Sequence, residues 1–154
     1  MKVYISGKIG EEVISDATRQ KFARAEEMLK AKGYEVFNPC DERWQASLRK
    51  GYEKDSKFYQ PYVNGTMPDF YTYCLLHDLM APSIKDAILI LPDFIYSYSA
   101  KTEYYFAEAV GKQILFASKH DAVVYLYSKR LCAPEGWEYN EWIDEEAKKI
   151  WLPL

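Results

Sequence analysis

Short β-rich runs that alternate with helical patterns constrain this chain more than any other feature. "KVYIS" (Lys2–Ser6) is β-rich and opens the chain, as a central strand does. From about Ser15 to Lys32 the spacing is helical, with Phe22, Ala25 and Leu29 on one face and Gly33 in the place of a C-terminal cap glycine. "YEVFNP" (Tyr34–Pro39) is a second strand, stopped by Asn-Pro. Strand, helix and strand in this order form a βαβ unit, whose crossover is right-handed. "DAILIL" (Asp86–Leu91) is the strongest buried-strand signal. Ala100 to Val110 reads as a helix ending at Gly111, and "QILFAS" as a further strand. Such alternation predicts an α/β fold: a three-layer sandwich around a mostly parallel, flavodoxin-like (Rossmann-like) sheet, with residues 1–154 as one domain.

The remaining segments are less regular. Residues 41–68 are charged, aromatic and punctuated by Gly51, Pro61, Asn64-Gly65 and Pro68, and are expected to form a lid or an interface insertion. Their aromatic run, from Trp44 through Tyr52, Phe58 and Tyr59 to Tyr62, suits packing of a lid or a subunit contact, with base stacking as the alternative. Asp69–Ser83 has helical spacing, "DAVVYLYSKRL" fits strand or helix, and "EWIDEEAKKIWLPL" reads as a closing amphipathic helix.

Charge and cysteine usage narrow the partners. A net charge of −3 argues against a nucleic-acid polymer, which calls for a concentrated basic surface. A small phosphorylated ligand stays open, because one lysine and a few backbone amides suffice for it. Cys40, Cys74 and Cys132 are odd in number and widely spaced, so they read as reduced thiols in a cytoplasmic protein. No signal pattern or long apolar run points to a membrane.

Ligands of parallel sheets bind beyond the carboxyl ends of the strands, where the strand order reverses. This places a site among Ser6–Gly10, the loop from Asn38 and the loop Asp93–Ser99. Glu103 lies on the helix after the central strand, in register with Phe106, Ala107 and Val110 and hence inward-facing. It reads either as a favourable charge near a helix N-terminus or as a working carboxylate. Asp78, in register with Tyr71 and Leu75, is a second acid in an apolar setting. Two such acids suit acid/base and nucleophilic work on a glycosidic bond.

Other chemistries find less support. "SGKIG" (Ser6–Gly10) fails as a nucleotide-triphosphate loop, because Lys2 stands where the earlier glycine belongs and Ile9 where Ser or Thr follows. Amides near Gly7 and Gly10, with Lys8, can still receive one phosphate or a sugar, and a plain tight turn is the alternative. Cys74 and His77 make half a metal site with no second pair at ligand spacing, so neither metal nor cofactor is expected.

Taken in order, "MKVYISGKIG", "YEVFNP", "HDLMAPSIKDAILILPD" and "SYSAKTEYYFAEAVGKQI" resemble the nucleoside 2-deoxyribosyltransferase superfamily, nearest a small bacterial and phage branch. The resemblance implies that Glu103 is the nucleophile on the anomeric carbon, that Asp78 handles the proton of the leaving base, and that the Tyr4 hydroxyl orients Glu103. It further implies that Ser97, six residues before Glu103 where free-nucleoside transferases carry Asp, marks a nucleoside 5′-monophosphate hydrolase. Ser97, Ser99 and Lys8 would hold the 5′-phosphate, with Ser6, Gly7, Asn38 and Asp93 completing the substrate site. Ser99 stands where the family has a small glycine. The function expected is N-glycosidic cleavage of a (deoxy)nucleoside 5′-monophosphate in a homo-oligomer, dimer or larger. The alternatives are deoxyribosyl transfer between free nucleosides, or a non-catalytic nucleotide-binding sensor.

Overall fold

The computed structural model describes residues 1–11 and 13–154. Four strands, β1 (Lys2–Ser6), β2 (Glu35–Phe37), β3 (Ala87–Ile90) and β4 (Gln113–Phe116), form one parallel sheet in the order β2-β1-β3-β4. That is the flavodoxin-like order, and the chain changes direction across the sheet between β1 and β3. The two inner strands are buried on both faces, which accounts for their continuous apolar runs.

Period-two alternation divides the core. Val3, Ile5, Ala87, Leu89 and Leu115 face α1 (Asp16–Ala31), which contributes Phe22, Ala25 and Leu29. Tyr4, Ile88, Ile90, Ile114 and Phe116 face the opposite way. They pack against Ala81 of α3 (Phe70–Ser83), Ala107 of α4 (Tyr98–Ala109), Ala122 and Leu126 of α5 (Lys119–Ser128), and Ile143 and Ala147 of α6 (Tyr139–Ile150). After α6 the chain touches the open edge of β4 once, where the Leu152 amide donates to the Phe116 carbonyl at 2.8 Å.

Helix ends follow local chemistry. Ser15, Asp69, Ser97 and Ser118 each accept a backbone N–H as the N-cap of α1, α3, α4 and α5. Gly33, at φ 81°, turns the chain out of α1 in a conformation other residues rarely adopt. The ambiguous "DAVVYLYSKRL" is helical because Ser118 caps it and Ala122 and Leu126 land one turn apart on the core. Val110 lies just past the last turn of α4 and is exposed, unlike the inward position its spacing suggests.

The largest departure from the sequence reading is residues 41–68. Their first half is a regular helix, α2 (Glu42–Ser56), N-capped by Asp41. Its apolar stripe of Trp44, Leu48 and Tyr52 is regular, with Leu48 buried, but charged neighbours and Gly51 mask it in the sequence. Gly51 is needed for close approach, since a Cβ there would sit 2.6 Å from the Tyr73 hydroxyl, which donates to Asp55 at 2.9 Å. Gly51→Ala is therefore expected to lower stability by about 1–2 kcal/mol despite its higher helix propensity. In a Tyr73→Phe background the same change becomes neutral or stabilising; urea unfolding of the four proteins checks this non-additivity.

Candidate active site

Glu103 sits in the second turn of α4, directly over the carboxyl end of β1, and is only 5% exposed. Tyr4 and Ser6 share strand parity, so both hydroxyls point to that side of the sheet. The Tyr4 hydroxyl donates to Glu103 Oε1 at 3.1 Å, and Ser6 Oγ donates to Oε2 at 2.5 Å. Both donors are fully buried. Among the described residues no cation pairs with Glu103, and Lys85 instead reaches Glu35 at 3.9 Å. Burial pushes the Glu103 carboxyl up to about 8; the Asp78 charge adds to the rise, and the two hydroxyl bonds oppose it. Burial and the neighbouring Glu103 charge likewise hold the Tyr4 phenol well above its ordinary value.

Asp78 approaches from α3. Its Oδ1 accepts from the indole Nε1 of Trp44 at 3.1 Å, and burial raises its carboxyl to about 6 against that bond. Trp44 packs edge-on against Phe37 at 5.0 Å, and Phe37 stacks on Tyr4 at 5.5 Å. Tyr4 and Phe37 are register partners in β1 and β2, so the sheet itself sets that stack.

Asp78 and Glu103 line one cavity of about 700 Å³, large enough for a nucleoside-sized ligand. The loop after β1 forms one wall through Gly7, Ile9, Gly10 and Ile14. From α2 come Gln45, Arg49, Tyr52 and Glu53, and from α3 Phe70, Tyr71, Cys74 and Leu75. Ser99, in the first turn of α4, completes the rim.

The residues singled out from sequence fall into two groups. Glu103, Asp78, Gly7 and Ser99 meet at the cavity, and Tyr4 and Ser6 stand behind Glu103. Lys8, Asn38, Asp93 and Ser97 are not among its lining residues. Asn38 bridges Glu26 and the Cys40 amide, at 2.8 and 2.9 Å. Asp93 accepts from the Lys8 amide at 3.1 Å and pairs with Lys21 at 2.5 Å, locking the loop after β1 to the turn after β3. Ser97 caps α4 and contacts Ser99 Oγ at 3.0 Å. A Cβ on Gly7 would lie 2.8 Å from Leu91, so the loop passes there only as glycine.

Sequence reasoning missed the cavity positions of Gln45 and Arg49 and the bond from Trp44 to Asp78, because all three lie on the unrecognised helix α2. Their spacing at 45 and 49, one helical turn apart, was the available signal. His77 packs on the Tyr73 ring at 4.3 Å, and among the described residues no cluster of three His, Cys, Asp or Glu side chains is placed to hold a metal.

The profile of the family described as domain of unknown function (DUF4406) matches residues 1–116. The chain belongs to this family. No curated protein and no solved structure matches it. The DUF4406 match ends with β4, so it takes in the whole sheet, α2 and both cavity carboxyls, and leaves out α5 and α6.

The raised Glu103 carboxyl makes a pH-dependent stability test of the DUF4406 site. Its folded value of about 8 lies above the ordinary 4.5, so its stabilising contribution is complete below pH 4.5 and is lost as pH rises through 8. Glu103→Gln removes that ionisation. The Tm of the variant should match wild type near pH 5 and exceed it by on the order of 5 °C at pH 9, in paired thermal melts.

Proposed function

We propose that this DUF4406 protein cleaves the N-glycosidic bond of a (deoxy)nucleoside 5′-monophosphate by a retaining double displacement. The observation that carries the reading is the pair of largely buried carboxyls, Glu103 and Asp78, on one cavity, with two hydroxyls fixed on Glu103. The resemblance to the nucleoside 2-deoxyribosyltransferase superfamily supports the same roles for Glu103, Asp78 and Tyr4.

In the first step a Glu103 carboxylate oxygen attacks C1′ of the sugar. The C1′–N bond breaks, and the departing base takes the Asp78 carboxyl proton. In the second step water attacks C1′ and gives its proton to the Asp78 carboxylate, and the ester to Glu103 breaks. Tyr4 and Ser6 hold both Glu103 oxygens, so the nucleophile reaches C1′ without reorganising.

Reaction needs Glu103 ionised and Asp78 protonated together. Below about 6 both carboxyls carry protons and above about 8 neither does; between them the proton sits mostly on Glu103, and the reacting form, with the proton on Asp78, is the minor member of the same one-proton pair. A bell-shaped kcat/KM profile with limbs near those values is therefore expected, measured as base release against pH.

Transfer between free nucleosides is a second reading, favoured by the charge of the cavity. Glu11, Glu53, Asp78 and Glu103 line it beside a single cation, Arg49, among the described residues, which suits an uncharged ligand better than a phosphate dianion. Base release from ribo- and deoxynucleosides and their 5′-monophosphates, run beside Glu103→Ala, decides. Release from monophosphates, lowered at least 10³-fold in the variant, supports the first reading. Release from free nucleosides alone supports the second. Saturable nucleotide binding without release by either protein would replace both with a non-catalytic nucleotide-binding role.

Homo-oligomerisation belongs to the proposal as well. Leu76 and Met80 on α3, Ile84 just past its end, and Tyr98 and Tyr105 on α4 are exposed apolar positions that would suit a subunit contact. A cytoplasmic location is supported by three unpaired cysteines, and among the described residues no helix is long and apolar enough to cross a membrane.

A further inference from the structure

Trp44 has no part in the chemistry proposed above, yet it donates to one of the two carboxyls on which that chemistry turns. It lies in the first turn of α2, where Asp41 accepts its backbone N–H at 3.2 Å. Its ring is wedged against Phe37, and the indole N–H is spent on Asp78 Oδ1. An indole has one donor and no acceptor, so this bond can run only one way. Oδ1 is thereby the accepting oxygen, and when Asp78 is neutral its proton is favoured on Oδ2, because a carbonyl oxygen accepts the indole bond better than a hydroxyl oxygen does.

We propose that Trp44 is a positioning residue that selects Asp78 Oδ2 as the oxygen delivering the proton to the leaving base and aims it into the cavity. The inference rests on the glycosidase reading of the site. It adds the link by which the carboxyls keep a fixed relation: Glu103 to Tyr4, Tyr4 on Phe37, Phe37 against Trp44, and Trp44 to Asp78. Each contact joins a different element, so α2 is part of the catalytic geometry and not only a cover over it. The other ionisable groups acting on or influenced by Asp78 are Glu103 on α4, Tyr4 on β1, Cys40 in the turn after β2 and Cys74 on α3. With Cys40 and Cys74 held as thiols well above neutral pH, Glu103 is the one of these that shares the Asp78 titration range.

Trp44→Phe tests this, because phenylalanine can keep the edge contact with Phe37 and lacks the N–H. Two readouts are taken on wild type and variant: base release against pH, and the carboxyl ¹³C titration of Asp78, assigned by its loss in Asp78→Asn. Expected are a kcat about tenfold lower with KM within twofold, and a low-pH limb and Asp78 titration both moved upward, since the indole bond favours the ionised form. Superimposable titrations, or an unchanged kcat with base release intact, would overturn the role of Trp44 alone. An absence of base release from wild type would instead remove the glycosidase reading, and with it any leaving base for Oδ2 to serve.

Discussion

Glu103 is a carboxyl group buried where a parallel sheet changes direction, and the surrounding architecture is arranged around its burial. A lone carboxylate at that depth is costly, and in this fold the hydroxyls of Tyr4 and Ser6 offset the cost instead of a lysine or arginine. Hydroxyl partners keep the group held without neutralising it. With no counter-charge beside it among the described residues, burial keeps the carboxyl high in its titration range against the pull of those two bonds. A salt bridge to a cation would have quenched that potential.

The same constraint explains the loops. The chain must pass close beside Leu91 at Gly7 to bring Ser6 under α4, and the Asp93 contacts to Lys8 and Lys21 hold that passage closed. Residues that look like ligand binders in the sequence, the side chains of Asn38, Asp93 and Ser97 and the backbone of Lys8, are occupied in holding loops and caps to one another. Polar loop residues near a site serve the loop geometry as often as the ligand, and pattern alone does not separate the two.

Helix α2 shows the reverse case. Its charged, glycine-containing sequence reads as an irregular insertion, yet it supplies Gln45, Arg49, Tyr52 and Glu53 to the cavity and Trp44 to Asp78. Helix propensity counts against Gly51, and only the position of Tyr73 from α3 makes that glycine intelligible. The insertion is thus the fourth wall of the site, and the acids on α3 and α4 would stand in an open crevice without it.

The sequence by itself determined the α/β alternation, the inner strands, the glycine-marked end of α1 and the inward setting of Glu103 and Asp78, because periodicity and capping are short-range physics carried by neighbouring residues. Tertiary structure alone decided that Tyr4 and Ser6 take opposite oxygens of Glu103, that Trp44 reaches Asp78 across 34 residues, and that the Asp93 side chain braces the loop after β1 through the Lys8 amide. Those pairings join elements far apart in the chain. They are set by strand register, by the order β2-β1-β3-β4 and by how closely α2 lies against α3, none of which a local pattern encodes.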